Sequence, residues 1–267
     1  MPIAEINNRV CINVTGEDAK SFLQGMITND MNILSDQPAI YACLLTPQGK
    51  FLYDFMVTAI TNGYRLEVLT HEAEALIKRL KPYKLRSKVN FEMDEVYKIY
   101  AGWRGAEKPD GSYQDPRLPE LGWRFVAPLS LDTDSDLKEY DRHRVTLGVP
   151  DGSRDLTAEL ATLYDGNIDV LHGVAFNKGC YMGQELTARV HFRGLVKKRM
   201  YPFNVKEGTP ETGSVLKSDG KKIGQVTGVY GSLGLSVVKV DAVENTKLAQ
   251  TDSGATVQIF QPTWSDF

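Results

Sequence analysis

Tight-turn signals, rather than long crossovers, separate the β-rich runs of this chain, and they constrain its fold more than any other feature. Ile40–Leu45 and Phe51–Ile60 flank Thr46-Pro47-Gln48-Gly49-Lys50, and Asn62-Gly63 stands between the second run and Tyr64–Leu69. Such turns join antiparallel strands, whereas a parallel pair needs a crossover of a dozen residues or more. An α+β fold is therefore expected rather than a doubly wound sheet. Upstream, Val10, Ile12 and Val14 alternate as in a strand, and Phe22, Leu23 and Met26 recur at helical spacing. Downstream, His71–Leu80 sets Ala73, Leu76, Ile77 and Leu80 on one helix face, and Val89–Met93 reads as a closing strand.

The middle of the chain is less regular. Strands are expected at Tyr97–Trp103 and Trp123–Ala127, separated by a loop from Arg104 to Pro119 whose Pro, Gly and charge predict exposure. Asp134 and Ser135 read as caps of a helix running to about Thr146, which ends on Arg142, His143 and Arg144 as a helix dipole favours. Asp132, Asp134 and Asp136 are thereby solvent residues rather than a metal site. After Met200, five short runs punctuated by glycine, Tyr201–Val205, Ser214–Lys217, Ile223–Tyr230, Leu235–Val240 and Thr256–Gln261, predict a small barrel or sandwich. With 267 residues there is room for two or three domains, divided here at 1–94, 95–198 and 199–267.

Charge and motif content narrow the function. Thirty-four acidic against thirty-one basic residues argue against a dedicated nucleic-acid binder. Two basic windows, Lys78 to Lys88 and Arg189 to Arg199, nevertheless suggest an anion-binding surface. No apolar stretch approaches the ~18–20 residues of a membrane span, and MPIAEINNRV has neither signal-peptide nor transit-peptide character, so a cytoplasmic protein is expected. Cys11, Cys43 and Cys180 form no CxxC pair, and His71, His143, His172 and His191 form no HxxxH or HxH pair, so no metal site is expected. GxGxxG, Walker A and GxSxG motifs are missing. Cys11 and Cys43 lie in apolar strand contexts and read as core.

The most unusual segment is Asn177-Lys178-Gly179-Cys180-Tyr181-Met182-Gly183-Gln184-Glu185. Two glycines flank a Cys and a Tyr, as where backbone turns sharply or approaches a ligand. Lys178 could favour the Cys180 thiolate if both face one pocket. Taken alone, the position still reads first as a packed thiol, because free Cys is among the most buried residue types.

KGCYMGQE at Lys178–Glu185, followed by ARVHFRG at Ala188–Gly194 and KKR at Lys197–Arg199, closely resembles the signature of the YgfZ family, folate-binding proteins related to the glycine-cleavage T-protein. FLQGMITND (Phe22–Asp30), TPQGKFLYD (Thr46–Asp54), YKLRSKV (Tyr83–Val89) and DGNID (Asp165–Asp169) agree in order, so the resemblance spans nearly the whole chain. KKR and LYD look closer to the branch containing mitochondrial iron–sulfur assembly factors than to the enterobacterial branch.

The resemblance implies three domains around a central cavity, the last a small β-barrel. It implies a tetrahydrofolate-binding accessory factor for maturing or repairing iron–sulfur proteins, with a link to tRNA modification. Folate and iron–sulfur client or assembly proteins are then the expected partners of a monomer, with nucleic acid secondary. Cys180 becomes the functional thiol, and Asp54 the retained member of the T-protein's Asp pair, the other position being Tyr53. Lys178 or Arg193 would face the folate's glutamate carboxylates and Asp165 or Asp54 its pterin or linking nitrogens, with Asn167, Gln184 and Glu185 also at the ligand. Asp165 departs from the family's usual Glu. A folate-dependent aminomethyltransferase and an RNA-binding module are the alternatives.

Overall fold

A computed structural model describes residues 1–243 and 248–267. The turn-joined strands of the first hundred residues form one antiparallel sheet in the order Ala39–Leu45, Phe51–Ile60, Gly63–Leu69, Arg9–Thr15, Asn90–Asp94. Ile60 pairs with Gly63, so the turn residues are Thr61 and Asn62 rather than Asn62 and Gly63, and Asn62 takes the left-handed φ of 62° that Asn tolerates better than most residues. All seven residues of Ala39–Leu45 are buried, because both faces of this strand are covered. Ile40, Ala42 and Leu44 pack with the helices Ala19–Met26 and Ala73–Lys84, whereas Tyr41, Cys43 and Leu45 pack with residues of the middle segment and barrel. One strand thus supplies two cores.

The second sheet runs Ile3–Glu5, Lys98–Gly102, Trp123–Ala127, Tyr113–Gln114. Its outer strand, Ile3–Glu5, comes from the amino-terminal side of the division drawn at residue 94. The expected exposed loop is also corrected in part. Asp115 and Arg117 are buried within it as a 2.8 Å ion pair, and the Tyr140 hydroxyl accepts from both Arg117 and Arg124. The helix Leu137–Thr146 is capped by Asp136, which accepts from the Glu139 amide at 2.9 Å. Asp134 instead accepts from the Ile3 amide at 2.8 Å, stitching the chain's start to this region.

The last third is a closed barrel in the order Lys198–Glu207, Leu233–Lys239, Lys221–Tyr230, Val215–Ser218, Ala249–Thr251, Thr256–Ile259. Six strands replace the five read from sequence, because Ala249–Thr251 is too short to show alternation.

A buried polar hub joins the three parts. Arg9 of the first sheet donates to Asp151 at 2.6 and 3.0 Å, Arg144 donates to Asp155 at 2.7 Å, and the barrel's Tyr230 hydroxyl donates to Asp155 at 2.7 Å. Burial alone would raise the Asp151 carboxyl, but Arg9, Arg144 and Arg154 hold it well below the usual carboxylate range. Arg124 pairs with Glu67 in the same interior.

Candidate functional site

The glycine-rich segment folds against two other motifs. Gly183 takes φ 82° ahead of the helix Gln184–Phe192, and a Cβ there would lie 2.6 Å from the Thr46 carbonyl oxygen and 3.1 Å from the Gly49 Cα. Only glycine fits this contact between the TPQGK turn and the Cys180 segment. On its other side the segment grips the end of the helix Ala19–Met26. Lys178 Nζ donates to the carbonyls of Gln24 (2.8 Å), Ile27 (2.9 Å) and Asn29 (2.7 Å), and the Met182 amide donates to the Gly25 carbonyl. A buried cation thus satisfies carbonyls where the helix dipole is negative. Burial lowers the Lys178 ammonium to about 8, with Asp30 opposing the shift.

Between these anchors Cys180 is exposed, whereas Cys11 and Cys43 are buried. The packed-thiol reading therefore fails for Cys180 and holds for the other two. Burial pushes the Cys11 thiol up to about 12, and burial followed by the Asp54 charge pushes Cys43 well above its ordinary value. A Cβ at Gly179 would meet nothing within 4 Å, so the approach to Cys180 is open.

Beside the segment lies a groove of about 780 Å³ whose lining includes Asn29, Tyr41, Asp169, His172, Phe176 and His191. Phe176 and His191 stack with centroids 3.6 Å apart and planes 8° from parallel, and Phe192 meets both edge-on. Asn29 fixes the groove floor by donating to the Tyr41 and His172 carbonyls. Asp169 is held by both terminal nitrogens of Arg199, Nη2 at 2.9 Å, which joins the DGNID and KKR motifs.

The other motif residues fall in different places. Asp54 is fully buried and meets the groove only through Tyr41, whose hydroxyl donates to it at 2.7 Å. Tyr53 is half-buried and packs against the first sheet's core. The Asp165 carboxylate accepts from the Thr162 amide and hydroxyl at 2.7 and 2.9 Å in a capping box. Asn167 clasps the amide and carbonyl of Met200 at the start of the barrel. Lys178 has all three ammonium protons on carbonyls. Gln184 opens its helix half-buried, Glu185 pairs with Arg189 at 3.1 Å on the surface, and Arg193 is exposed just beyond the helix. Sequence reasoning missed Tyr41 and Asp169. The hairpin register pairs Cys43 with Asp54, which makes Tyr41 the diagonal neighbour of Asp54.

Residues 197–267 match the family described as the CAF17 C-terminal beta-barrel domain. The human mitochondrial iron–sulfur cluster assembly factor IBA57 is 30% identical over 95% of this chain and 82% of its own length. The chain belongs to the IBA57 family. The Neurospora crassa homologue is 34% identical over 75% of this chain and 53% of its own length. The aminomethyltransferase T-protein of the Bartonella henselae glycine cleavage system superposes with a TM-score of 0.75 over 98% of this chain and 86% of that one. At 17% identity this likeness shows the fold, and the expected T-protein-like α+β architecture with its terminal barrel is the one observed. The IBA57 relatives are named as mitochondrial proteins, which overturns the expected cytoplasmic location.

Proposed function

We propose that this protein is a folate-binding assembly factor for iron–sulfur proteins, in which Cys180 is the thiol that contacts cluster or client. The observation that carries the reading is the exposed Cys180 thiol on a segment clamped at both ends, beside a groove large enough for a small organic ligand. Membership of the IBA57 family, whose human representative is named an iron–sulfur cluster assembly factor, supports the cluster half of the proposal. One thiol cannot supply the four Cys ligands of an ordinary cluster. Among the described residues no group of three or more His, Cys, Asp or Glu could hold a metal ion. The remaining ligands would come from a protein partner, with the cluster as cargo.

The groove's donor set fits a reduced folate. The Phe176–His191 stack offers an aromatic wall for a pterin, and Asp169 retains about two of its four acceptor sites beyond the Arg199 contact for a pterin N–H. Arg193, exposed at the helix end beside the groove residue Phe192, would meet the glutamate carboxylates. Bound folate would supply one-carbon chemistry, while this chain's residues hold and orient it. Cells depleted of the protein should lose activity in several iron–sulfur enzymes, with the loss not confined to glycine-cleavage flux. Normal iron–sulfur enzymes with a collapse confined to glycine cleavage would reject the reading.

A further inference from the structure

Two cross-strand pairs in the barrel are lysine facing lysine. Lys198 stands opposite Lys239 and Lys217 opposite Lys222. Like charges directly across a ladder repel and disfavour the sheet. The lysines that form ion pairs, Lys88 and Lys98, lie elsewhere; none of these four is ion-paired among the described residues. Lys198, Lys222 and Lys239 also converge on one cleft of about 170 Å³, whose floor includes Ile223 and Val237. Such a convergence carries a cost in the isolated chain that an anionic partner would remove.

The surface continues toward the Cys180 segment. The chain leaves the helix Gln184–Phe192 through Leu195, which is 47% exposed, and passes exposed Lys197 before entering the barrel at Lys198. Phe176, four residues before Cys180, stacks on His191 near that helix end, while Gln184, four residues after it, opens the same helix. Nine helical residues span only ~13 Å, so the thiol and the lysine cleft can lie under one interface of ordinary size.

We propose that Leu195 and the lysine face of the barrel form a docking surface for an acidic folded protein, with Leu195 as apolar anchor and Lys197, Lys198, Lys222 and Lys239 as its charged rim. The proposal rests on the reading of Cys180 as a thiol shared with a protein partner. An apolar centre within a charged rim is the anatomy of a protein interface. Single-stranded nucleic acid would call instead for aromatic platforms among the lysines; the cleft is lined by Ile223 and Val237, and the exposed Phe192 near Leu195 is engaged edge-on with Phe176 and His191.

The test uses full-length chain returned to cells that lack it. Lys239→Glu turns a repelling cross-strand pair into an attracting one, so its melting temperature should equal or exceed that of the native protein. Iron–sulfur enzyme activity should nevertheless fall at least about threefold with Lys239→Glu, and further with added Leu195→Ser, because an acidic partner is now repelled. Lys239→Gln, which only removes charge, should give a smaller drop in the same direction. Full activity from the double variant overturns the docking surface. Cys180→Ser, run in parallel, separates the two readings: a fully active Cys180→Ser beside an impaired double variant keeps the surface and rejects the thiol, and the reverse pattern does the opposite. Purified native and Lys239→Glu proteins are also titrated with a short single-stranded RNA and with phosphatidylserine vesicles. Tight binding to either that Lys239→Glu abolishes overturns the assignment to a protein partner, and no such binding supports it.

Discussion

The phenol of Tyr41 donates a 2.7 Å hydrogen bond to the fully buried carboxylate of Asp54, and the same tyrosine lines the groove. Arg9 Nη2 lies 3.5 Å from the other carboxylate oxygen. Burial first, then the Asp54 charge, pushes the Tyr41 phenol well above its ordinary value, so it remains a donor at any physiological pH. Removing this donor leaves a buried charged acceptor short of a partner. Tyr41→Phe should therefore destabilise the protein by about 1–3 kcal/mol. In a double-mutant cycle with Asp54→Asn the effects should be non-additive. Denaturant melts check this; additive losses would uncouple the pair.

Groove binding predicts a pattern in calorimetry with tetrahydrofolate. Asp169→Asn and Arg193→Ala should each weaken binding by about ten- to a hundredfold, the loss of one charge-assisted hydrogen bond. Asp165→Asn should disturb folding at the Thr162 cap more than affinity. No heat of binding with native protein would end the folate half of the proposal.

Glu72 gives the fold a pH signature. It is buried, its Oε2 has no hydrogen-bond partner, and burial raises its carboxyl to about 7, with Ser153 and Arg9 opposing and Asp54 and Asp151 adding to the shift. A carboxyl raised in the folded state binds its proton more tightly there than in the unfolded chain. Its contribution is complete below the unfolded value near 4.5, falls as pH rises toward 7, and is lost above. Stability should drop across that window by an amount on the order of 3 kcal/mol. Glu72→Gln should stabilise the protein at pH 8 by about 1–3 kcal/mol and flatten the profile, which melts across the pH range would show.

Aminomethyl transfer should be negligible. Asp54 is sealed from solvent and Tyr53 packs against the core, so neither offers a carboxylate to the groove. Losing a positioned acid or base costs about 10²–10⁴ in rate. Tyr53→Asp alone should not restore turnover with an aminomethylated lipoyl carrier, because position 53 faces the helices.

Much of this architecture is legible in the residues, for reasons that differ by element. Phe51–Ile60 and Trp123–Ala127 fall where their β-rich composition places them, because local propensity and tertiary burial agree there. Ala249–Thr251 is too short to show alternation, and the pairing of Ile3–Glu5 with Lys98–Gly102 depends on contacts far along the chain and leaves no local trace. At the site, glycines and a Cys mark the Cys180 segment, but chemistry alone cannot tell which polar residues serve the backbone. Lys178, Asp165 and Asn167 look like ligand-binding groups, and their side chains hold a helix end, a turn and the barrel's first strand. The place of Asp169 in the groove lining is fixed by Arg199, which arrives from thirty residues away.

The accessible thiol is directly checkable. In brief alkylation of native protein followed by peptide mapping, Cys180 should be modified first, whereas Cys11 and Cys43 should react only on unfolding. Similar rates at all three would contradict the burial that separates them.

Complementation with Cys180→Ser in cells lacking the protein decides whether the exposed thiol is required. The substitution changes sulfur for oxygen at an exposed position, so melting temperature and tetrahydrofolate affinity should match those of the native chain. Iron–sulfur enzyme activities should stay at the level of the depleted cells. Full restoration of those activities by Cys180→Ser, with the variant present at native abundance, would contradict the account.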